Sequence, residues 1–196
     1  FDRRVLEVLR EPLESGKITI SRAARQADFP AQFQFVAAMN PCPCGYLGEE
    51  SGRCHCTADR VNRYRQKISG PLLDRIDLHI HVARVPRQQL LNPQSEDEPG
   101  SAQLRELVTT ARQNAITRGH VSNAQLTAAQ VREHCQTSDS AQRVIEQAMD
   151  KLNLSARAYH RSLKVARSIA DMEDSDVIES RHISEALGYR QLSLNA

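Results

Sequence analysis

Two apolar runs, each bounded by a polar residue, constrain the fold of this 196-residue chain most. Residues 33–39 are apolar apart from Gln34, and they stop at Asn40 and Pro41. Such a run reads as a central strand covered on both faces, and proline cannot continue the ladder. Residues 76–82 read as a second strand, with Arg75 immediately before it. An amide and a guanidinium at strand ends suggest a phosphate site, because ligands of open α/β sheets sit beyond strand ends.

The flanking segments extend this pattern. Val5, Leu6, Leu9 and Leu13 fall at helical spacing over residues 2–14, and Gly16 stops that helix. Residues 17–22 alternate with β-branched side chains; with residues 29–33 they predict a hairpin whose tip lies near residues 23–26. Residues 58–68 look helical. Residues 86–100 carry three prolines and an acidic run, so they read as a linker. Beyond it the periodicity predicts helices at about 101–118, 127–135, 138–152, 155–172 and 180–188, with Thr127, Ser138 and Ser155 as N-caps. The expected fold class is α/β plus all-α: part of an α/β domain over 1–85, a linker over 86–100 and a small helical domain over 101–196.

Composition adds limits. With 40% hydrophobic and 26% charged residues the chain should bury a core. No apolar stretch approaches the roughly 20 residues needed to span a bilayer, and no export leader is visible, so a cytoplasmic protein without a membrane partner is expected. Phe1 stands inside a predicted helix without a methionine, which suggests a piece of a longer protein. Residues 1–90 hold 14 Lys/Arg against 10 Asp/Glu, whereas the remainder holds 12 against 14. A mildly basic first part suits nucleic acid or nucleotide, and equally an ordinary solvated surface.

Each candidate site residue has a functional and a structural reading. Asn40 can hydrogen-bond a phosphate oxygen or orient a water, or it can belong to an Asn-Pro turn. Arg75 lies between Asp74 and Asp77, so it is either a local ion pair or a finger reaching a transferring phosphoryl group. Arg157, Arg161 and Lys164 share one helical stripe, apart from the apolar positions Ala156, Tyr159, Leu163, Ala166 and Ala170. That stripe is a basic site or a solvated face. Lys17, Arg22 and Arg25 cluster on the predicted hairpin, where they either touch a nucleic-acid backbone or guard a sheet edge.

Cys42, Cys44, Cys54 and Cys56 form two close pairs that can close a tetrahedral zinc site, although one intervening residue per pair is fewer than usual. His55 is an alternative ligand, and reduced, unliganded thiols are the other reading. Cys135 lies in a helical pattern and reads as a small buried residue. The chain contains no GxxxxGK[ST] loop and no apolar strand ending in Asp-Glu, so alone it lacks the parts that grip a nucleoside triphosphate.

The segments REPLESGKITISRA (10–23), FPAQFQFVAAMNPCPCG (29–45), GPLLDRIDLHI (70–80) and SARAYHRSLKVARSIADM (155–172) carry a resemblance covering nearly the whole chain. In this order they resemble the C-terminal two-thirds of an AAA+ ATPase module, of the magnesium-chelatase-like group and the bacterial ComM/YifB type. The resemblance implies parallel core strands with a pre-sensor-1 hairpin over residues 17–28, followed by a helical lid. It makes Asn40 sensor 1, Arg75 the arginine finger serving a neighbouring subunit and Arg157 sensor 2. It sets the paired cysteines in a Cys-rich loop, and it puts the missing phosphate-gripping motifs just upstream of Phe1.

The implied activity is that of a hexameric, ATP- and magnesium-dependent DNA motor with a branch-migration, helicase-like role in natural transformation; this chain alone is expected to be inactive. Two alternatives stay open: a chelatase-type ATP-driven protein remodeller without DNA, and a zinc-stabilised binding module.

Overall fold

A computed structural model of the chain describes residues 2–22, 25–49, 52–85, 87 and 99–190. They fall into two units, residues 2–76 and 77–190.

The first unit opens with helix α1 (Arg3–Val8) and helix α2 (Arg10–Ser15) where one continuous helix was expected. The break at Leu9 follows from Pro12, which has no N–H to give the Val8 carbonyl and whose ring would crowd it. Gly16 ends α2 in the left-handed region (φ 69°), its N–H donating to the Pro12 carbonyl at 3.0 Å. Strands β1 (Lys17–Arg22) and β2 (Arg25–Pro30) pair antiparallel, from Lys17 opposite Pro30 to Arg22 opposite Arg25. The second strand thus starts earlier than predicted, because the register closes the hairpin directly across residues 22 and 25.

Further along, helix α3 (Ala58–Arg65) is capped by Thr57, and the one-turn helix α4 (Gly70–Leu73) by Ser69, with Pro71 in its first turn.

The two predicted core strands are not formed. Residues 31–40 and 76–82 have no ladder partner among the described residues, where the β1–β2 hairpin is the only sheet. Val36 is 82% exposed and Val82 84%. An apolar run becomes a strand only when neighbours accept its backbone hydrogen bonds.

In the second unit the helices keep close to their predicted bounds: α5 (Ser101–Gly119), α6 (Ala128–His134), α7 (Asp139–Leu152), α8 (Ala156–Met172) and α9 (Ser180–Gly188). Thr127, Ser138 and Ser155 cap α6, α7 and α8, each accepting from a backbone N–H three residues on. Leu126, Val131, Cys135, Ile145, Leu163, Ile169, Ile178 and Ile183 are among the side chains of one apolar core. The predicted linker lies outside the described residues except for residues 87, 99 and 100.

The buried face of α8 differs from the predicted stripe. Ala156 lies at the surface, whereas Arg167 and Asp171 are buried with Leu163, Ala166 and Ala170. The Asp171 carboxylate accepts from Arg118 at 2.7 and 2.8 Å, from Asn123 Nδ2 at 2.7 Å and from Arg167 Nε at 3.1 Å. Arg167 also donates to the carbonyls of Ser175 and Asp176. Burial pushes the Arg167 guanidinium below its ordinary value, with Asp171 opposing the shift, and hydrogen bonds to Asp171 raise that of Arg118. The network ties α5, α8 and the loop after α8 together. An Arg–Asp pair four apart on an otherwise apolar stripe was the signal in the sequence.

No helix among the described residues is long and apolar enough to cross a membrane.

Candidate functional site

Asn40 ends the irregular segment 31–40 and is exposed, two residues before the first cysteine. The chain then turns back: Gly45 N–H donates to the Cys42 carbonyl at 3.0 Å. Gly45 has φ 85°, and a Cβ there would stand 3.6 Å from Asn40 Nδ2, so the cysteine turn lies directly against the Asn40 amide.

Four thiols converge at this turn. The Sγ atoms of Cys42, Cys44, Cys54 and Cys56 all lie within 4.8 Å of one another. Cys42 is completely buried, and none of the four is in a disulfide. Burial pushes the Cys42 thiol up, but hydrogen bonds from Cys44 and from the backbone N–H groups of Leu47 and Cys44 prevail and bring it to about 6. Cys54 moves the other way, to about 11: a backbone hydrogen bond from Cys56 lowers it, while burial and the neighbouring sulfurs outweigh that bond. Such a donor set suits one soft or borderline cation. His55 is exposed and stands outside the group. Arg53 braces the loop, stacked 4.2 Å over the Tyr46 ring and 2.6 Å from Glu49. Cys135, by contrast, lies in the helical core, where burial raises its thiol to about 11.

Arg75 follows α4 and is tied back onto its own unit. It donates to the Pro71 carbonyl at 2.7 Å and to the Glu14 carboxylate of α2. A second clasp runs alongside, in which a hydrogen bond to Ser69 lowers Glu7 from its ordinary value. Asp77, a candidate local partner of Arg75, pairs with Arg161 of α8.

Arg157 is exposed in the first turn of α8. On the same stripe, Arg161 pairs with Asp77 and Lys164 donates to the Ala124 carbonyl at 3.0 Å.

The hairpin separates its three basic residues. Lys17 sits at the base, 2.6 Å from Asp28, whose other oxygen accepts from Thr19 Oγ1 at 2.7 Å. Arg22 and Arg25 are exposed and face each other as register partners at the far end. Like charges directly opposite each other on two strands repel.

The chain matches the family described as "Magnesium chelatase, subunit ChlI" over residues 1–90 and "Magnesium chelatase, subunit ChlI C-terminal" over residues 98–190. It is 44% identical to the "Competence protein ComM" of Haemophilus influenzae over 192 residues, covering 98% of this chain. It is 39% identical to the "Uncharacterized protein YifB" of Escherichia coli over the same share, and 36% identical to an uncharacterized protein of Mycobacterium tuberculosis over 95% of the chain. The chain spans 37% of the length of each of these relatives. Two successive family matches over nearly the whole chain, together with the ComM and YifB similarity, show that it belongs to the magnesium-chelatase-like family of the ComM/YifB type.

Proposed function

We propose that this chain is the sensor-bearing part of a bacterial AAA+ ATPase that works as a ring-forming DNA motor, with a branch-migration, helicase-like role in the uptake and recombination of DNA. ATP and magnesium are its cofactors in the longer protein. Asn40 senses the phosphate in its own subunit, Arg75 serves as arginine finger for the next subunit of a hexamer, and Arg157 reports the nucleotide from the helical lid. Residues 33–39 and 76–82 become strands of a parallel core beside segments that this chain does not contain. The competence name of the Haemophilus relative supports the DNA role.

The observation that carries the DNA reading is the exposed Arg22–Arg25 pair at the end of the hairpin. Two facing guanidiniums repel in isolation, and an anionic backbone laid across them reverses that cost. The test is binding of single-stranded DNA by the full-length protein across a salt series. The double variant Arg22→Ala/Arg25→Ala should weaken binding and flatten the salt slope by about 1.4, since each lost contact on single strands contributes roughly 0.7. A wild-type slope in that variant refutes the hairpin contact.

The chelatase match favours a second reading, an ATP-driven protein remodeller without DNA. Absence of DNA binding by the full-length ring, with ATP turnover stimulated by a protein partner, selects it.

A further inference from the structure

The four-thiol cluster lies outside the sensor residues but against one of them. Three sulfur separations are 3.3 Å (Cys42–Cys44), 3.8 Å (Cys42–Cys54) and 3.6 Å (Cys44–Cys54). A tetrahedral Zn²⁺ with bonds of about 2.3 Å sets sulfur–sulfur edges of about 3.8 Å, close to this spacing. The backbone supports the sulfurs as it would thiolates: the N–H groups of Cys44 and Leu47 donate to Cys42, that of Cys56 to Cys54 and that of Cys44 to Cys56. The turn at residues 42–45 supplies one pair, and the segment leading into α3 supplies the other.

We propose that Cys42, Cys44, Cys54 and Cys56 hold one structural Zn²⁺ as a tetrathiolate, and that the ion fixes the position of the Asn40 side chain. Two links lead from the metal to Asn40. Only Pro41 separates Asn40 from the ligand Cys42, and proline fixes φ at that joint. The bare Cα face of Gly45, one residue past the ligand Cys44, packs on the Asn40 amide. Closing the metal site pins both walls around that amide; opening it frees the turn at residues 42–45 from the segment that leads into α3. Zinc is favoured because four thiolates suit a soft or borderline ion and provide no open position for chemistry. Binding displaces the thiol protons to solvent, so affinity falls as pH drops. The metal half stands apart from the ATPase reading; only the role of Asn40 rests on it.

The experiment uses the 196-residue chain, with metal content measured after dialysis and with Zn²⁺ or Co²⁺ added back alone to chelator-stripped protein. One Zn²⁺ per chain is expected for the wild type and for Cys135→Ser, and much less than one for Cys44→Ser and for Cys54→Ser/Cys56→Ser. Co²⁺ should give the intense visible bands of a tetrahedral thiolate site. Equal, substoichiometric zinc in the wild type and the double variant overturns the site. If the cysteine variants fail to fold, the add-back titration of stripped wild type decides alone: saturation at one equivalent supports the site, and its absence refutes it. The side-chain amide signals of Asn40, assigned through Asn40→Asp, should shift on stripping and return with Zn²⁺; signals indifferent to metal overturn the positioning half.

Discussion

Replacing Asp171 by alanine should be among the most damaging single changes in the helical unit. The carboxylate is 3% exposed and takes four hydrogen bonds from three side chains. Without it Arg167, itself 0% exposed, keeps only the Ser175 and Asp176 carbonyls, and the Arg118 guanidinium nearby becomes an unopposed like charge. Removing one partner from a buried ion pair costs about 3–5 kcal/mol. The Arg118 side chain is 26% exposed, so solvent screens its share and most of the loss comes from Arg167. For a unit of this size, with an unfolding entropy near 2.1 cal/mol/K per residue, about 4 kcal/mol corresponds to a drop of roughly 15 °C in Tm. Calorimetry and urea denaturation of the chain measure both quantities. Asp171→Asn keeps the shape and an acceptor, so it should lose about half as much. The double variant Arg118→Met/Asp171→Ala should cost less than the sum of its parts, because the second change removes a charge that the first has stranded. A loss under about 1 kcal/mol for Asp171→Ala, or strict additivity, refutes the reasoning.

Three further outcomes are expected. Ile145→Ala, at a 0% exposed position of the core, should cost about 2–5 kcal/mol by denaturant unfolding; a change within about 0.5 kcal/mol would mean that the site collapses or is not packed. In the hairpin, Lys17 and Thr19 hold the Asp28 carboxyl below its ordinary 3.8, and Asp28 holds the Lys17 amine above its ordinary 10.5. The Asp28 contribution is therefore present above the unfolded value and lost as pH falls through the folded one, whereas that of Lys17 is lost as pH rises through its raised value. Amide signals of residues 17–22 followed by NMR should hold between about pH 5 and 9 and weaken in acid, and an Asp28 that titrates above 3.8 contradicts this. In the full-length protein Arg75→Ala should abolish ATP turnover with nucleotide binding nearly intact; wild-type turnover removes the finger assignment.

Legibility in the sequence followed locality. The helices of the second unit declared themselves because a cap needs only the N–H three residues on and a buried stripe repeats within one element. The hairpin was visible for the same reason, its partner strand lying a few residues away. The runs at 33–39 and 76–82 showed strand-like apolarity, but a ladder needs a paired strand, and a single backbone bond such as that from His79 N–H to the Tyr189 carbonyl does not make one. The flanking aspartates made a local ion pair the plain alternative for Arg75, yet its carboxylate partner in the structure is Glu14, 61 residues away.

The sequence by itself determined the family, the succession of helices and the hairpin, the N-caps and the two close cysteine pairs, since all of these rest on spacing along the chain. Only the tertiary structure decided which charge meets which: Arg75 with Glu14, Asp77 with Arg161, Asp171 with both Arg118 and Arg167. It also decided that four sulfurs twelve residues apart in their pairs converge on one point beside Asn40. The physical reason is that electrostatic pairing and metal ligation depend on distances of a few ångströms in space. Those distances exist only once the core has set the elements against one another.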